Sequence, residues 1–147
     1  MVNDLLQQLA KQAVTPNLSE KSKAPWYIKP ILWITPVNYW VTIKNTTYYP
    51  NGFKEPEKRL DIIDHESIHV IQWRKYGVLG FIVLYLFIPV PFFFAYFRYR
   101  FEREAYLVNI VRGDWTIEEV VNVLWSGYCW SWPKPLMRRW FKKQVAA

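Results

Sequence analysis

The stretch that decides the fold is Asp64-His65-Glu66-Ser67-Ile68-His69-Val70-Ile71-Gln72. It contains the pattern His-Glu-x-x-His and uses both of the histidines in the chain. A spacing of four residues places the two imidazoles on one face of an α-helix, one turn apart. At that separation they can bind a single Zn²⁺, and Glu66 lies beside them to take a proton from a water that the metal acidifies. The sequence therefore predicts a zinc-binding helix, although a helix that carries two histidines by chance is the plainer interpretation.

The predicted helix runs from about Glu57 to Tyr76, and Gly77 is its expected C-terminal stop. Apolar residues surround the histidines along it, namely Leu60, Ile62, Ile63, Ile68, Val70, Ile71 and Trp73. The helix should therefore be largely buried. Because a buried cluster of ionisable groups is costly unless it is paired or bound to a metal, this burial favours the metal site.

A third ligand must come from elsewhere in the chain, because a catalytic zinc needs three protein ligands and one open position. The sequence has no third histidine, so a carboxylate must complete the set. The best candidates are Glu102 and Glu104, on a helix predicted over Arg98–Arg112 that stops at Gly113. Residues two apart lie about 200° around a helix, so these two cannot both face the same ion.

Composition limits the class of protein. A chain of 147 residues suits one domain with one modest core. Aromatic residues make up 19% of it, more than such a core needs, which indicates a groove, a partner surface or a membrane interface. The net charge of +7 is spread among large apolar side chains, so an anionic lipid surface or an acidic partner fits better than nucleic acid.

The signals for localisation are few. The single cysteine, Cys129, excludes an internal disulfide and favours a reducing compartment. Residues 1–13 lack the basic start of a secretory signal, and residues 3–13 are predicted to form a short amphipathic helix. We therefore expect a cytoplasmic protein, or one associated with a membrane or a virion.

The segments before the zinc-binding helix are predicted to be mostly extended. Residues 15–25 are a polar connector, and the apolar, proline-containing run over 26–36 should cross the surface in an extended conformation. Two short strands are expected at Tyr39–Ile43 and Thr46–Tyr49, with a turn at Lys44-Asn45 between them.

An uncharged segment over residues 77–97 follows the zinc-binding helix and is long enough for a membrane span. A single span would place Glu102 and Glu104 on the opposite side of the bilayer from the histidines. Pro89 and Pro91 instead favour a broken helical hairpin, buried in the protein or dipping into one leaflet. A core helix with a proline bend remains an alternative.

Two helices are predicted in the C-terminal part of the chain. Thr116-Ile117-Glu118-Glu119 has the form of a capping box and should begin a helix that runs to about Ser126. Residues 136–145 are predicted to form a basic amphipathic helix, either a solvated face above a packed stripe or an interfacial anchor.

At this point the sequence resembles the gluzincin branch of zinc metallopeptidases, in which a Glu on a later helix follows His-Glu-x-x-His. It is more similar still to small phage and bacterial proteins that carry His-Glu-x-x-His-x-x-Gln, here residues 65–72, and a downstream Glu-x-x-Ala, here residues 102–105. A Val-Thr-Ile strand and a Thr-Tyr-Tyr-Pro segment ahead of the helix, within residues 41–50, are also typical of them. The resemblance covers roughly residues 35–110, and the two motifs together are its most specific part.

The resemblance implies a set of site residues, with Glu66 as the general base and three zinc ligands: His65, His69 and Glu102. Glu102 is preferred over Glu104 because the small residue Ala105 falls three places after it. Gluzincins usually place an Asp four residues after the ligand Glu to orient the first histidine, whereas this sequence has Tyr106 there. Asp64 or a backbone carbonyl is the expected replacement.

The elements predict an α+β, mostly helical fold, and the resemblance implies that it is zincin-like. It would have a short β-hairpin before the zinc-binding helix, a Glu-bearing helix and a Pro-broken apolar helical hairpin. We expect residues 1–147 to form one domain, with a catalytic core over 35–112 and a C-terminal helical extension over 115–147.

The expected function is a zinc-dependent metallopeptidase that acts on a peptide or protein substrate. A substrate strand is predicted to pair with an exposed edge such as Thr46–Tyr49, and Tyr48, Tyr49 or Tyr106 is the expected O–H donor to the oxyanion. The alternative is a membrane-surface or virion-associated interaction protein with a structural or vestigial zinc site. No nucleic-acid recognition motif is present.

Overall fold

The computed structural model describes residues 14–33, 35–86, 95–127 and 132–146. The described helices are α1 (Lys29–Trp33), α2 (Leu60–Leu86), α3 (Ala95–Arg112), α4 (Ile117–Gly127) and α5 (Lys134–Val145). The strands are β1 (Asn17–Glu20), β2 (Val41–Ile43) and β3 (Thr46–Tyr49), and short 3₁₀ turns lie at Lys21–Lys23 and Pro56–Lys58. The predicted α+β, mostly helical class is confirmed. The helix predicted over 3–13, the break at Pro89 and Pro91, and Cys129 lie outside the described residues.

The three strands form one small sheet in the order β1-β3-β2. β2 and β3 are the predicted antiparallel hairpin, with Thr42 opposite Thr47, and Lys44 takes the positive φ of 56° that the turn between them requires. β1 pairs with β3 in parallel, with Leu18 opposite Thr47. The prediction of a polar connector over 15–25 is therefore wrong, because this segment supplies an edge strand. β2 forms the other edge, and β3 is the central strand.

The prediction that the segment over 26–36 is extended is also wrong, because this segment contains the short helix α1. Its backbone bonds run from Ile28 N to Pro25 O and from Leu32 N to Ile28 O. Pro30 is tolerated because it lies in the first turn, where a backbone N–H has no partner within the helix. Leu32 is buried with Ala24 and Tyr48, so α1 closes over one end of the sheet.

α2 and α3 pack antiparallel and form the centre of the molecule. Ile68 of α2 is buried together with Ala105 and Val108 of α3. α2 begins at Leu60, three residues later than predicted, because residues 56–58 form a 3₁₀ turn instead. The regular helix is interrupted at Gly77, where φ is 69° and ψ is 168°, and helical structure resumes beyond it. Gly77 is thus a break in the helix, as predicted, but not its last residue.

α4 and α5 cover the opposite side of α3. The predicted capping box is confirmed, since Thr116 N donates to Glu119 Oε2 at 2.8 Å and Glu119 N donates to Thr116 Oγ1 at 3.3 Å. The Arg103 guanidinium of α3 stacks on Trp140 of α5, 4.3 Å from the ring centroid. A second buried cluster joins the three helices: Tyr99, Leu107, Val120, Val121, Leu124, Met137 and Phe141.

None of the described helices is both long enough and apolar enough to span a bilayer. The residues that join α2 to α3, 87–94, belong to the part of the uncharged segment outside the described residues.

Candidate metal centre

Three of the residues that the sequence predicts as ligands converge in the structure. α2 presents His65 and His69 one turn apart, with ring centroids 5.1 Å from each other, and α3 brings Glu102 between them. Glu102 Oε2 lies 3.4 Å from His65 Nε2 and 3.6 Å from His69 Nε2. Glu102 is only 2% exposed. One oxygen and two nitrogens therefore face a common point in the interior.

These spacings suit a zinc ion. Ligand atoms about 2.05 Å from a tetrahedral zinc lie about 3.3 Å from each other, so distances of 3.4 and 3.6 Å need little adjustment. All three ligand atoms lie within 4.8 Å of one another. Two imidazoles and one carboxylate are also the donor set of catalytic zinc sites that keep one position open. The residues present therefore fit the metal that the sequence predicts.

His65 is oriented by Asn109 of α3. Its Nδ1 lies 3.2 Å from Asn109 Oδ1, and Asn109 Nδ2 donates to the carbonyl of Asp61 at 2.7 Å. Because the amide nitrogen is used in that second bond, the amide oxygen must face the imidazole, and His65 Nδ1 carries the proton. The lone pair of Nε2 is thereby directed toward Glu102, as a metal ligand requires.

His69 is oriented in the same way by Gln72, one turn further along α2. Its Nδ1 lies 2.9 Å from Gln72 Oε1, while Gln72 Nε2 donates to the carbonyl of Phe101 at 3.0 Å and to Glu104 Oε2 at 3.0 Å. The Phe101 carbonyl oxygen and Glu104 Oε2 are both acceptors, so the Gln72 amide nitrogen must face them and its oxygen must face His69. A chain of hydrogen bonds thus runs from Glu104 through Gln72 to His69.

The rival ligand Glu104 therefore lies outside the convergent set and supports it from behind. The expected orienting residues are also corrected. Asp64 forms an ion pair with Arg112 instead of contacting His65, and Tyr106 packs its ring edge-to-face on His65, with centroids 4.4 Å apart. Asn109 supplies the amide oxygen in their place. It follows Glu102 by seven residues, two helical turns, which is the signal in the sequence that could have pointed to it.

The charges of the site are coupled. Burial disfavours the charged form of His69, but the Glu102 carboxylate outweighs it and raises the pKa of His69 to about 9. Burial also disfavours ionised Glu102, yet the adjacent His69 imidazolium keeps the pKa of this carboxyl well below its usual value. Without metal the site therefore holds an imidazolium–carboxylate pair, and a cation that binds must displace the proton.

Glu66 lies beside the convergent set and is 6% exposed. Its Oε2 accepts a hydrogen bond of 2.6 Å from the hydroxyl of Thr42 in β2. Since that hydroxyl has one proton, its 2.5 Å contact with Thr47 Oγ1 must be donated by Thr47. Trp73 Nε1 also donates to the carbonyl of Thr42 at 3.1 Å. The sheet therefore fixes the carboxylate of Glu66, a connection that the sequence did not predict.

A cavity of about 560 Å³ opens onto these residues. β2 forms one wall, the helical walls carry the ligand set, Tyr106 and Trp73, and Trp115 contributes from the turn between α3 and α4. The predicted docking edge at Thr46–Tyr49 is wrong, because β3 is central and paired on both sides. The sheet edge beside the cavity is β2. Of the expected oxyanion donors, Tyr106 lines the cavity, whereas Tyr48 is buried under α1.

The arrangement has the parts that metal-assisted hydrolysis needs: three convergent ligands, a carboxylate beside them, and an accessible cavity with a strand at its edge. The parts come from α2, α3 and β2, so the site is more than two histidines that are adjacent on one helix. Comparison with protein-family models, curated proteins and solved structures gave no match to this chain.

Proposed function

We propose that this protein is a zinc-dependent metallopeptidase of gluzincin type with a zincin-like fold. The observation that carries the proposal is the convergence of His65, His69 and Glu102 on one point, with Glu66 beside them at the wall of an open cavity. The two imidazoles donate from Nδ1 to the amide oxygens of Asn109 and Gln72, which leaves both Nε2 atoms to face the proposed metal.

Zinc, when bound, would polarise the scissile carbonyl and acidify the attacking water. Glu66 would accept a proton from that water and pass it to the leaving amine. The hydrogen bond from Thr42 holds the carboxylate in place for both transfers. Tyr106, which lines the cavity, is the candidate O–H donor to the oxygen of the scissile carbonyl.

The substrate would bind as an extended strand along β2. This strand is at the edge of the sheet and borders the cavity, so its outward N–H can pair with a peptide backbone, whereas the carbonyl of Thr42 already accepts from Trp73 Nε1. Pairing of this kind depends little on side chains. Cleavage preference would then come from the aromatic walls of the cavity.

The assignment of ligands is tested by the metal content of the purified wild type, Glu102→Ala and Glu104→Gln. We expect about one zinc per wild-type chain and almost none in Glu102→Ala, because that variant loses a ligand. Glu104→Gln should retain zinc with affinity lowered about tenfold at most, since the new amide can still accept from Gln72. Equal zinc in all three proteins, or no zinc in any, would discard the ligand set.

Hydrolysis is tested with Glu66→Gln on a denatured protein substrate. The variant should keep its zinc and lose activity by at least about a thousandfold, because the amide cannot accept the proton. A wild type that binds zinc but cleaves nothing would favour the alternative, an interaction protein with a structural zinc site. Unchanged activity in Glu66→Gln would refute the role of this residue.

A further inference from the structure

An exposed aromatic surface surrounds α1. Four residues that follow Pro25 project into solvent with large apolar side chains, and we call this group the aromatic face: Trp26 (82% exposed), Tyr27 (61%), Trp33 (80%) and Val37 (77%). The rings of Trp26 and Tyr27 pack edge-to-face with centroids 5.9 Å apart. Neighbouring apolar side chains exposed to this extent mark an interaction surface more often than an ordinary one.

The aromatic face is the outer side of the helical segment over residues 25–33, which is apolar on both its inner and its outer side. Backbone bonds from Ile28 N to Pro25 O and from Leu32 N to Ile28 O make residues 25–33 follow a helical path. Leu32 packs inward on the sheet, with Ile28 against it. Trp26 and Trp33 are seven residues apart, which places them on the same side of that path. A helix facing water would carry polar residues at those positions.

The aromatic face is also held in a fixed conformation. Lys21 Nζ donates to the carbonyl of Pro36 at 3.1 Å and to that of Val37 at 3.2 Å, which ties the end of the segment to the 3₁₀ turn at Lys21–Lys23. A partner would therefore meet a preformed surface, and little conformational entropy would be lost on binding.

The segment that carries the aromatic face is positively charged, although Glu20 at its border lies 4.0 Å from Lys23. Between Lys21 and Lys54 the sequence contains five lysines and no aspartate or glutamate. Lysines beside exposed tryptophan and tyrosine are the composition of surfaces that bind the headgroup region of anionic membranes. An acidic partner protein would suit the lysines, but it would not call for two tryptophans that are each at least 80% exposed.

The aromatic face adjoins the mouth of the metal cavity. Ile31, Thr35, Pro36 and Asn38 line that cavity and alternate along the chain with the exposed residues. Tyr39 both lines the cavity and is 48% exposed. A surface that contacts the aromatic face would therefore also lie next to the opening of the cavity.

We propose that the aromatic face docks on the headgroup region of an anionic bilayer. The substrate class follows if docking is combined with the proposed metallopeptidase function, on which it rests: the substrates are peptide segments presented at the membrane surface. The rings of Trp26, Tyr27 and Trp33 enter the interfacial layer, and the lysines contact the anionic headgroups. The cavity mouth is then held close to chains that emerge from the bilayer.

Docking is tested by co-sedimentation of the full-length protein with vesicles of phosphatidylcholine alone and of phosphatidylcholine with about 30% phosphatidylglycerol. We expect binding to the anionic vesicles and at least about tenfold weaker binding to the neutral ones. Trp26→Ala with Trp33→Ala should lower binding to anionic vesicles by at least about tenfold. The matched control is Leu136→Ala with Val145→Ala, which removes two exposed apolar side chains from the basic helix α5.

The vesicle-binding results distinguish the aromatic face from α5 as the membrane contact. Loss of binding in the tryptophan pair, with the α5 pair unchanged, supports the proposal. Loss in the α5 pair alone would overturn it, because the basic C-terminal helix would then be the membrane contact. Absence of vesicle binding by the wild type would also overturn it, as would salt-sensitive retention on duplex DNA that only the tryptophan pair loses.

The substrate class is tested with one unstructured peptide, supplied free in solution or anchored to the anionic vesicles by a lipid chain. The wild type should cleave the anchored form at least about tenfold faster, and the tryptophan pair should lose only this difference. Equal rates on both forms would overturn the membrane-presented substrate. If the wild type cleaves neither form yet binds vesicles, the proposed hydrolysis fails while the docking stands.

Discussion

The hydroxyl of Thr42 connects the sheet to Glu66, the candidate general base, through one hydrogen bond. It donates to Glu66 and accepts from Thr47, so the carboxylate of Glu66 is held by a chain that ends in the central strand. The activity of a carboxylate that must accept and return a proton depends more on how precisely it is held than on how deeply it is buried.

We expect Thr42→Val to lower kcat/KM on a denatured protein substrate by about ten- to hundredfold. The change keeps the shape of the side chain and removes a hydrogen bond to a charged group, which is worth about 1.5–3 kcal/mol. Zinc content should not change, because Thr42 does not contact a ligand. Steady-state kinetics and metal analysis of the same preparation measure both quantities.

The matched control for this variant is Thr47→Val, which removes the outer hydrogen bond of the chain and leaves the bond to Glu66 intact. Its kcat/KM should fall by less than about fivefold. If both variants lose activity equally, the effect lies in the packing of the strand pair and not in the position of the carboxylate.

At the level of residues, helical spacing predicted the shared face of the two histidines, the resemblance supplied Glu102, and the residues that orient the imidazoles were missed. The spacing of His65 and His69 is local, so the shared face could be read directly. The orienting role of Asn109 and the orientation of the Gln72 amide depend on how α2 and α3 are rotated against each other, which no local pattern encodes. Glu104 illustrates the difference, because only this packing shows that it contacts Gln72 rather than the convergent point.

Among the elements, the long central helix depends on one unusual backbone conformation. Gly77 has φ 69° and ψ 168°, a combination that only glycine adopts without strain. A Cβ placed at this position would meet no atom within 4 Å, so the conformation and not crowding requires glycine here. Gly80, three residues later, has no such requirement, and its added Cβ would make an ordinary 3.7 Å contact with Tyr76.

We expect Gly77→Ala to lower the free energy of unfolding by about 1–3 kcal/mol through backbone strain. Gly80→Ala should instead be neutral or raise it by up to about 1 kcal/mol, because alanine restricts the unfolded chain and suits a helix. Equilibrium unfolding in urea measures both values. A Gly77→Ala protein as stable as the wild type would show that the helix can continue through this position.

The elements that were wrongly predicted are those whose partners lie far away in the chain. β1 is short and polar, and only its parallel pairing with β3 makes it a strand. α1 contains Pro30, which argued for extended chain, but the packing of Leu32 on the sheet outweighs that local preference. The hairpin of β2 and β3 was predictable because its turn and its partner are adjacent in sequence.

Across the whole molecule, the proposed metal would join α2 to α3 inside their packed interface, where His69 is 7% and Glu102 2% exposed. Ligands from both helices bind zinc only when the two are packed, so zinc should stabilise the folded chain by mass action. At a free zinc concentration about a thousandfold above Kd the gain is about 4 kcal/mol, or about 10 °C in Tm for a domain of this size. Thermal unfolding with zinc and with a chelator measures it, and Glu102→Ala should show no such shift.

This gain should shrink as the pH falls. The pKa of His69 is raised to about 9, so below that pH zinc must displace a proton and its apparent affinity falls up to about tenfold per pH unit. The imidazolium–carboxylate pair also stabilises the metal-free fold below the ordinary histidine pKa, and that contribution is lost as the pH rises through about 9. The two descriptions concern the same proton, so the difference in Tm is expected to be larger at pH 8 than at pH 6. The opposite trend would contradict the role of His69 as a ligand.

The stacking of Arg103 on Trp140 has a practical consequence for work with shortened chains. Arg103 follows Glu102 directly, so its stacking on Trp140 of α5 limits the rotation of α3 about its own axis and thereby the direction of the Glu102 carboxylate. Trimming the protein to the region of its sequence motifs would remove this brace. A minimal version for assays should therefore extend through residue 146, even though the three proposed ligands lie between residues 65 and 102.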